Sequence, residues 1–183
     1  MKVKKNERGS LHIRLADERD EAKVIDYLHV TWDAGEETVN GGAGIEGFET
    51  YAEWLMENRK NRCEETVREG FVPASTFLAF NEREELVGMI DLRHRLNKWL
   101  LRFGGNIGYS VRPTERRKGY ASEMLSLALD EAKKLGIERV LITCDRENEA
   151  SRGVIIKNGG VLENEVEGPD EGQLTQRYWI TNF

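Results

Sequence analysis

Ile107-Gly-Tyr-Ser-Val-Arg-Pro-Thr-Glu-Arg-Arg-Lys-Gly-Tyr-Ala-Ser122 is the stretch from which the fold can be worked out. Its opening, Asn106 to Arg112, is β-rich and stops at Pro113, which brings neither a ladder donor nor a free φ. A strand therefore ends there. Past a basic, glycine-containing turn, Ala121, Met124, Leu125, Ala128, Ala132 and Leu135 recur at helical spacing. The order is strand, cationic turn, helix.

A helix start has four backbone N–H groups without intrahelical partners and about half a positive charge, so it stabilises an anion. Arg116, Arg117 and Lys118 add cations at the end of the helix where they oppose its dipole. A phosphate would relieve that conflict. Gly119 lacks a Cβ and admits positive φ, which lets the backbone approach a bulky diphosphate, and small Ala121 keeps the next turn open.

At these residues the chain resembles the GNAT superfamily of N-acetyltransferases. The family signature is Arg or Gln, two residues, Gly, one residue, then Gly or Ala; here it reads Arg116-Arg-Lys-Gly119-Tyr-Ala121. The flanking order also matches: a strand before, a helix after, a second β-rich run Arg139 to Cys144, then Asn148 opening a helix that ends in Gly159-Gly160. The resemblance covers Leu11 to Trp179, with motifs confined to Ile107 to Gly160. It implies an α/β (α+β) fold with a mixed, mostly antiparallel central sheet of six to seven strands, a splayed fourth and fifth strand pair, and about four flanking helices. It implies acetyl-CoA as co-substrate, with no metal. The pantetheine arm would lie beside Ser110, Val111 and Arg112. The diphosphate would sit on the amides of Arg117 to Ser122, in the turn formed by Arg116, Arg117, Lys118, Gly119, Tyr120, Ala121 and Ser122. Asn148 and Ser151 match positions that touch the cofactor arm, and Asn148 reads equally as a helix N-cap. One departure stands out. Many members carry a tyrosine at the position of Ile155, whose hydroxyl protonates the departing thiolate.

The 183 residues suffice for one well-buried core, so residues 11–183 read as a single domain behind a loose, polar tail over 1–10. No apolar run nears the ~20 residues of a membrane span, and Met1-Lys-Val-Lys-Lys lacks the apolar core of a signal peptide. Cys63 and Cys144 form no CxxC-type pair, which gives no zinc site and fits a reducing, cytoplasmic setting. A formal net charge of -6 disfavours nucleic acid as a partner. A homodimer is one option for the assembly.

Leu11 to Leu15 alternates as a first strand, and Asp17 can cap a helix to about Val30 with Ala22, Ile25 and Leu28 or His29 on its buried side. Trp32 to Gly47 reads as a mobile acidic loop; it has five glycines but neither a dinucleotide nor a P-loop pattern. Phe48 to about Glu69 resumes a helical pattern with Tyr51, Trp54, Leu55 and Met56 apolar. Thr76 to Phe80, a turn at Asn81 to Glu84, and Leu86 to Arg93 form a hairpin. His94 to Phe103 reads either as an extension of that strand or as a short excursion. Val161 to Val166 and Leu174 to Ile180 close the sheet as antiparallel strands.

Amine acylation asks more of a base than of an acid. An alkylammonium of pKa about 10.4 is neutral in roughly one molecule in 2500 at pH 7, about 4.6 kcal/mol, whereas a thiol of pKa about 8.5 leaves readily. Base candidates are Asp91, His94 and the Glu residues of the acidic loop, directly or through water; Arg93 and Arg95 would lower the proton affinity of His94 if they point the same way. Tyr109 and Tyr120 are candidate replacements for the missing acid, Tyr109 the better placed because Tyr120 opens the helix, and a backbone N–H near Val111 would polarise the carbonyl. Glu36, Glu37 and Glu46, with Asp33, point to a cationic acceptor, a small-molecule or peptide amine. The expected activity is acetyl transfer from acetyl-CoA to a primary amine by direct attack. The alternative is a non-catalytic acyl-CoA-binding sensor, which Ile155 keeps open.

Overall fold

Among the described residues seven strands form, and they divide into two hydrogen-bonded groups. The computed structural model describes residues 11–181, so the tail expected over 1–10 lies outside the described residues. Strands β1 (His12–Leu15), β2 (Ala74–Phe80), β3 (Leu86–Arg93) and β4 (Ile107–Val111) pair antiparallel in the order β1-β2-β3-β4. Strands β5 (Arg139–Asp145), β6 (Val161–Glu167) and β7 (Leu174–Thr181) pair antiparallel in the order β5-β7-β6. No ladder joins β4 to β5 among the described residues, which is the expected splay. The two strands touch at one point. The amide of Asn106 donates to the Leu141 carbonyl at 2.7 Å, and the Leu141 amide donates to Asn106 Oδ1 at 2.9 Å. Gly105 makes this approach feasible, since its φ is +63° and a Cβ there would lie 2.6 Å from the Leu141 carbonyl oxygen.

Four α-helices cover the strands: α1 (Glu21–Asp33), α2 (Tyr51–Lys60), α3 (Tyr120–Lys134) and α4 (Glu149–Lys157). Asp17 does cap the first helical segment, a 3-10 turn over Glu18–Asp20, through a capping box with Asp20. The buried face of α1 differs from the expected one: Val24, Tyr27, Leu28 and Thr31 are inside, while Ala22, Ile25 and His29 are exposed. The polar atoms disguised it. The Thr31 hydroxyl donates to the Tyr27 carbonyl, and the Tyr27 hydroxyl bonds to Ser110, so both pack inside without an unpaired group. Helix α2 is shorter than its pattern suggests because the Thr66 hydroxyl caps the Lys60 carbonyl at 2.6 Å. In α3, Met124, Leu125, Ala128, Leu129 and Ala132 are buried, whereas Leu135 falls past the helix end and is half exposed.

The β1–β4 sheet is buried on both faces. Alternation along β2 sends Phe77 and Ala79 into one core with Ile90, Leu92, Met124, Leu125, Ala128 and Ile155. It sends Leu78 and Phe80 into the other with Val24, Tyr27, Trp54 and Met89. One core thus belongs to α3 and α4 and the other to α1 and α2.

The segment between α1 and α2 is not the mobile acidic loop its composition suggests. Val39 and Ile45 are buried, and the Trp54 indole donates to the Gly42 carbonyl at 2.8 Å. Gly41, at φ +78°, lies against β4 so closely that a Cβ would stand 2.5 Å from the Gly108 carbonyl oxygen. Gly41→Ala should therefore cost about 3 kcal/mol, combining left-handed strain with overpacking against backbone. Gly44→Ala, at φ +68° with open space around it, should cost about 1–2 kcal/mol. Urea unfolding of both variants reads the difference; equal losses would mean that Gly41 is not a contact point.

Residues 94–104 form an excursion ending in a π-helical turn, Leu100–Gly104. It is tied down from three sides: Arg93 Nη1 donates to the Gly104 carbonyl, Thr143 Oγ1 to the Phe103 carbonyl, and Arg177 to the Leu101 carbonyl. No sequence period marks a five-residue turn held by long-range side chains.

Candidate functional site

β4 has one paired and one open edge. Its antiparallel pairing with β3 is fixed by Arg93 N donating to Asn106 O (2.7 Å) at one end and Arg112 N donating to Val87 O (2.9 Å) at the other. Ladder alternation then turns the backbone groups of Gly108 and Ser110 toward β3 and those of Tyr109 and Val111 outward, into the splay. Of Ser110, Val111 and Arg112, beside which the arm was expected, the ladder turns only the backbone groups of Val111 outward, together with those of Tyr109. The Ser110 side chain bonds instead to the Tyr27 hydroxyl at 3.0 Å, and Arg112 pairs with Asp26 at 2.7 Å. Burial pushes the Tyr27 hydroxyl up to about 12, so it stays protonated.

Beyond β4 a 3-10 turn, Pro113–Glu115, leads into the cationic loop. Arg117 (φ +62°) and Gly119 (φ +89°) are both left-handed, and Gly119 is the N-cap of α3 without a side-chain cap. Among the described residues, the amides of Arg117, Lys118, Gly119, Tyr120 and Ala121 donate to no protein acceptor. The amide of Ser122 is already used, donating to the Gly119 carbonyl at 3.2 Å, so the expected row of free amides ends one residue earlier. The Ser122 hydroxyl accepts from Asn158 Nδ2, joining α3 to α4. Free amides around left-handed residues at a helix start form an anion-binding concavity. The side chains contribute unequally: Arg116 is engaged by Glu36 and Lys118 by Glu115, while Arg117 is exposed with no carboxylate partner among the described residues.

A tyrosine hydroxyl reaches across the splay. Tyr109, from β4, reaches Ser151 of α4, hydroxyl to hydroxyl at 2.9 Å. Burial pushes the Tyr109 hydroxyl up to about 12, against the opposing effect of its bond to Ser151. Cys144 of β5 lies in the same place; burial pushes its thiol up to about 11, with Asp145 acting in the same direction. Asn148 caps α4, its Oδ1 accepting from the Ser151 amide at 2.9 Å. Ile155 is fully buried in the core under α3 and α4, so the position that carries a tyrosine in many relatives is filled with packing.

A family model for the acetyltransferase (GNAT) domain matches residues 10–161. The chain belongs to the GNAT acetyltransferase family. No curated protein matches it significantly. Among solved structures, the fold is similar to that of RimL, a ribosomal L7/L12 alpha-N-protein acetyltransferase in complex with coenzyme A: TM-score 0.67, 19% identity, 94% of each chain covered. It is also similar to a dodecameric spermidine N-acetyltransferase from Vibrio cholerae (TM-score 0.65, 17% identity, 94% of each chain). A third is yncA from Salmonella typhimurium, solved with its cofactor acetyl-CoA (TM-score 0.62, 15% identity, 95% of each chain).

Within this GNAT domain two of the candidate bases lie at the end of β3, Asp91 on the strand and His94 just past it, each bonded to a hydroxyl of β2. Asp91 is buried, accepting from Thr76 Oγ1 at 2.9 Å and paired with Arg93 Nε at 3.2 Å. Burial raises its carboxyl, opposed by Arg93 and Thr76. His94 is half-buried with Nε2 2.9 Å from the Ser75 hydroxyl. Its proton affinity is lowered by burial and raised by Asp91; the neighbouring arginines are not the cause, since Arg93 turns to Asp91 and Gly104 and Arg95 to Glu64. Of the acidic residues expected to meet an amine, Glu36 is bound to Arg116 through both oxygens, at 2.5 and 2.7 Å, while Glu37 and Glu46 are exposed. Among the described residues no group of three or more His, Cys, Asp or Glu is placed to hold a metal ion, and no helix is long and apolar enough to cross a membrane.

Three residues of this GNAT site were not singled out in the sequence: Tyr27, Asn106 and Gly41. Asn106 stands immediately before the strand and is 2% exposed, a buried amide whose partners lie on two other strands. The one local signal was its position after Gly104-Gly105, where a chain turning sharply into a strand leaves backbone groups to be met by a side chain.

Proposed function

We propose that this domain transfers the acetyl group of acetyl-CoA to a primary amine of a small molecule or peptide by direct attack. What carries the reading is the combination of an open β4 edge with a run of five free amides at the start of α3. The first suits an extended, amide-bearing arm and the second a diphosphate. Coenzyme A has both features. Of the three similar structures named above, one holds coenzyme A and one acetyl-CoA, and two are named for acting on a protein α-amine and on spermidine.

Acetyl-CoA supplies an activated thioester. The amine nitrogen bonds to its carbonyl carbon, the carbon–sulfur bond breaks, the nitrogen gives up a proton and the thiolate takes one. An outward N–H of β4, that of Tyr109 or Val111, donates to the carbonyl oxygen as negative charge builds on it. The amine's proton passes to water: His94 stands six residues along the chain from Gly88, the β3 partner of Val111, roughly 20 Å away, and does not reach the attacking nitrogen. Tyr109, still protonated at neutral pH, donates toward the departing sulfur, and Ser151 fixes its orientation.

Tyr109→Phe should lower kcat about tenfold, a modest share of the usual effect of a general acid, because a thiol is a tolerable leaving group. Its KM for acetyl-CoA should change little. An unchanged kcat would remove Tyr109 from the chemistry. A thiol-release assay across amine, acidic and hydroxyl acceptors tests the function: release with amines is expected, and release confined to acidic or hydroxyl acceptors would contradict it. The packed Ile155 favours one second reading, an acyl-CoA sensor, for which coenzyme A would bind and no acceptor would release thiol.

A further inference from the structure

Arg116 opens the signature motif, and the plain expectation is that its charge meets phosphate. Its donors point elsewhere. Nε donates to the Val111 carbonyl at 3.1 Å, while Nη1 and Nη2 bond to the two carboxylate oxygens of Glu36 at 2.5 and 2.7 Å. Glu36 is anchored in turn, its amide donating to the Thr31 carbonyl at the end of α1. The guanidinium thus faces two ways at once, onto the last outward carbonyl of β4 and onto the segment that follows α1. Two further bonds run parallel to it, Tyr27 to Ser110 and Asp26 to Arg112.

Resting on the acetyl-CoA reading above, we propose that Glu36 and Arg116 form a bracket that sets the register of the donor's arm on β4. Both are positioning residues for the donor, and neither binds the amine. The open edge offers the backbone groups of Tyr109 and Val111, but the Val111 carbonyl is already capped by Arg116. What remains there is the Val111 N–H and both groups of Tyr109. An extended chain of amides adds to that edge in one register. Uncapping the Val111 carbonyl creates a second acceptor two residues along, and the arm can then slip by one strand period, carrying the thioester away from its N–H donor.

The bracket requires arginine. One planar group must supply parallel N–H bonds to a carboxylate and a third N–H in another direction, which a lysine ammonium on a flexible stem does not do. A phosphate contact would be served by either. The same geometry sets Glu36 apart from an amine-binding role, because its charge is already matched by the Arg116 guanidinium through both oxygens.

Calorimetry with coenzyme A and steady-state kinetics on the wild type, Arg116→Lys and Glu36→Gln test this. Arg116→Lys should raise KM for acetyl-CoA about tenfold and lower kcat, with KM for the amine within twofold of the wild type. Glu36→Gln keeps one acceptor oxygen and should shift the same parameter about threefold while melting like the wild type. If Arg116→Lys binds coenzyme A as the wild type does, or if Glu36→Gln raises KM for the amine alone, the bracket is wrong and the acetyltransferase reading survives. If the wild type itself fails to bind coenzyme A, both fall.

Discussion

Replacing Gly119 with valine is expected to weaken coenzyme A binding at least a hundredfold in calorimetry, equivalent to about 2.7 kcal/mol. Gly119 sits at φ +89°, ψ 0°, where a β-branched residue is strained by more than the ~1–2 kcal/mol of an ordinary side chain. The valine variant relieves that strain by rotating the turn. The amides of Lys118, Gly119 and Tyr120 then no longer converge, and a convergent set cannot be replaced by neighbouring side-chain charge. Stability should suffer less than binding, since the turn is exposed around Arg117 and Lys118 and carries little of the core. A variant that unfolds and binds normally in its folded fraction would contradict this account of the turn.

Asn106→Ala is expected to be the most damaging polar-to-alanine change, at about 3 kcal/mol. Asn106 closes the vertex where β4 and β5 meet: its amide donates to Leu141, its Oδ1 accepts from Leu141 N, and its Nδ2 donates to the Arg93 carbonyl at 3.1 Å. Truncation leaves a buried N–H and a buried carbonyl unpaired, each costing about 1–3 kcal/mol. At roughly 2–4 °C per kcal/mol, the melting temperature should fall by about 6–12 °C. Aspartate would not rescue it, because it supplies no donor for the Arg93 carbonyl. A loss under 1 kcal/mol would mean that the two sheets are held together elsewhere.

The parts legible in the sequence were those governed by local chemistry. Pro113 ended β4, Gly119 opened α3, Asn148 capped α4, and the alternating and apolar runs located the strands. Elements set by distant partners were not legible. Helix α1 turned Tyr27 and Thr31 inward because their hydroxyls find partners inside, which no hydrophobicity pattern encodes. The segment after α1 looked mobile by its glycines and acids, yet two of those features are contacts: Gly41 is small because Gly108 is beneath it, and Glu36 is acidic because Arg116 is opposite. Charge composition suggested an anion seat at the turn, while the geometry leaves its backbone amides without protein acceptors among the described residues and ties Arg116 to Glu36 and Val111. Which edge of β4 is open followed from its ladder with β3, and that ladder's phase depends on both strands together.

Titrating 15N-labelled protein with coenzyme A and following each backbone amide is the most direct test of the central claim, that unpartnered main-chain donors at the start of α3 and along β4 hold the acyl donor. The resonances of Lys118, Gly119, Tyr120, Ala121 and Val111 should shift in step and saturate with a single affinity. Saturation with those five unmoved, and the changes gathered on another surface, would contradict it.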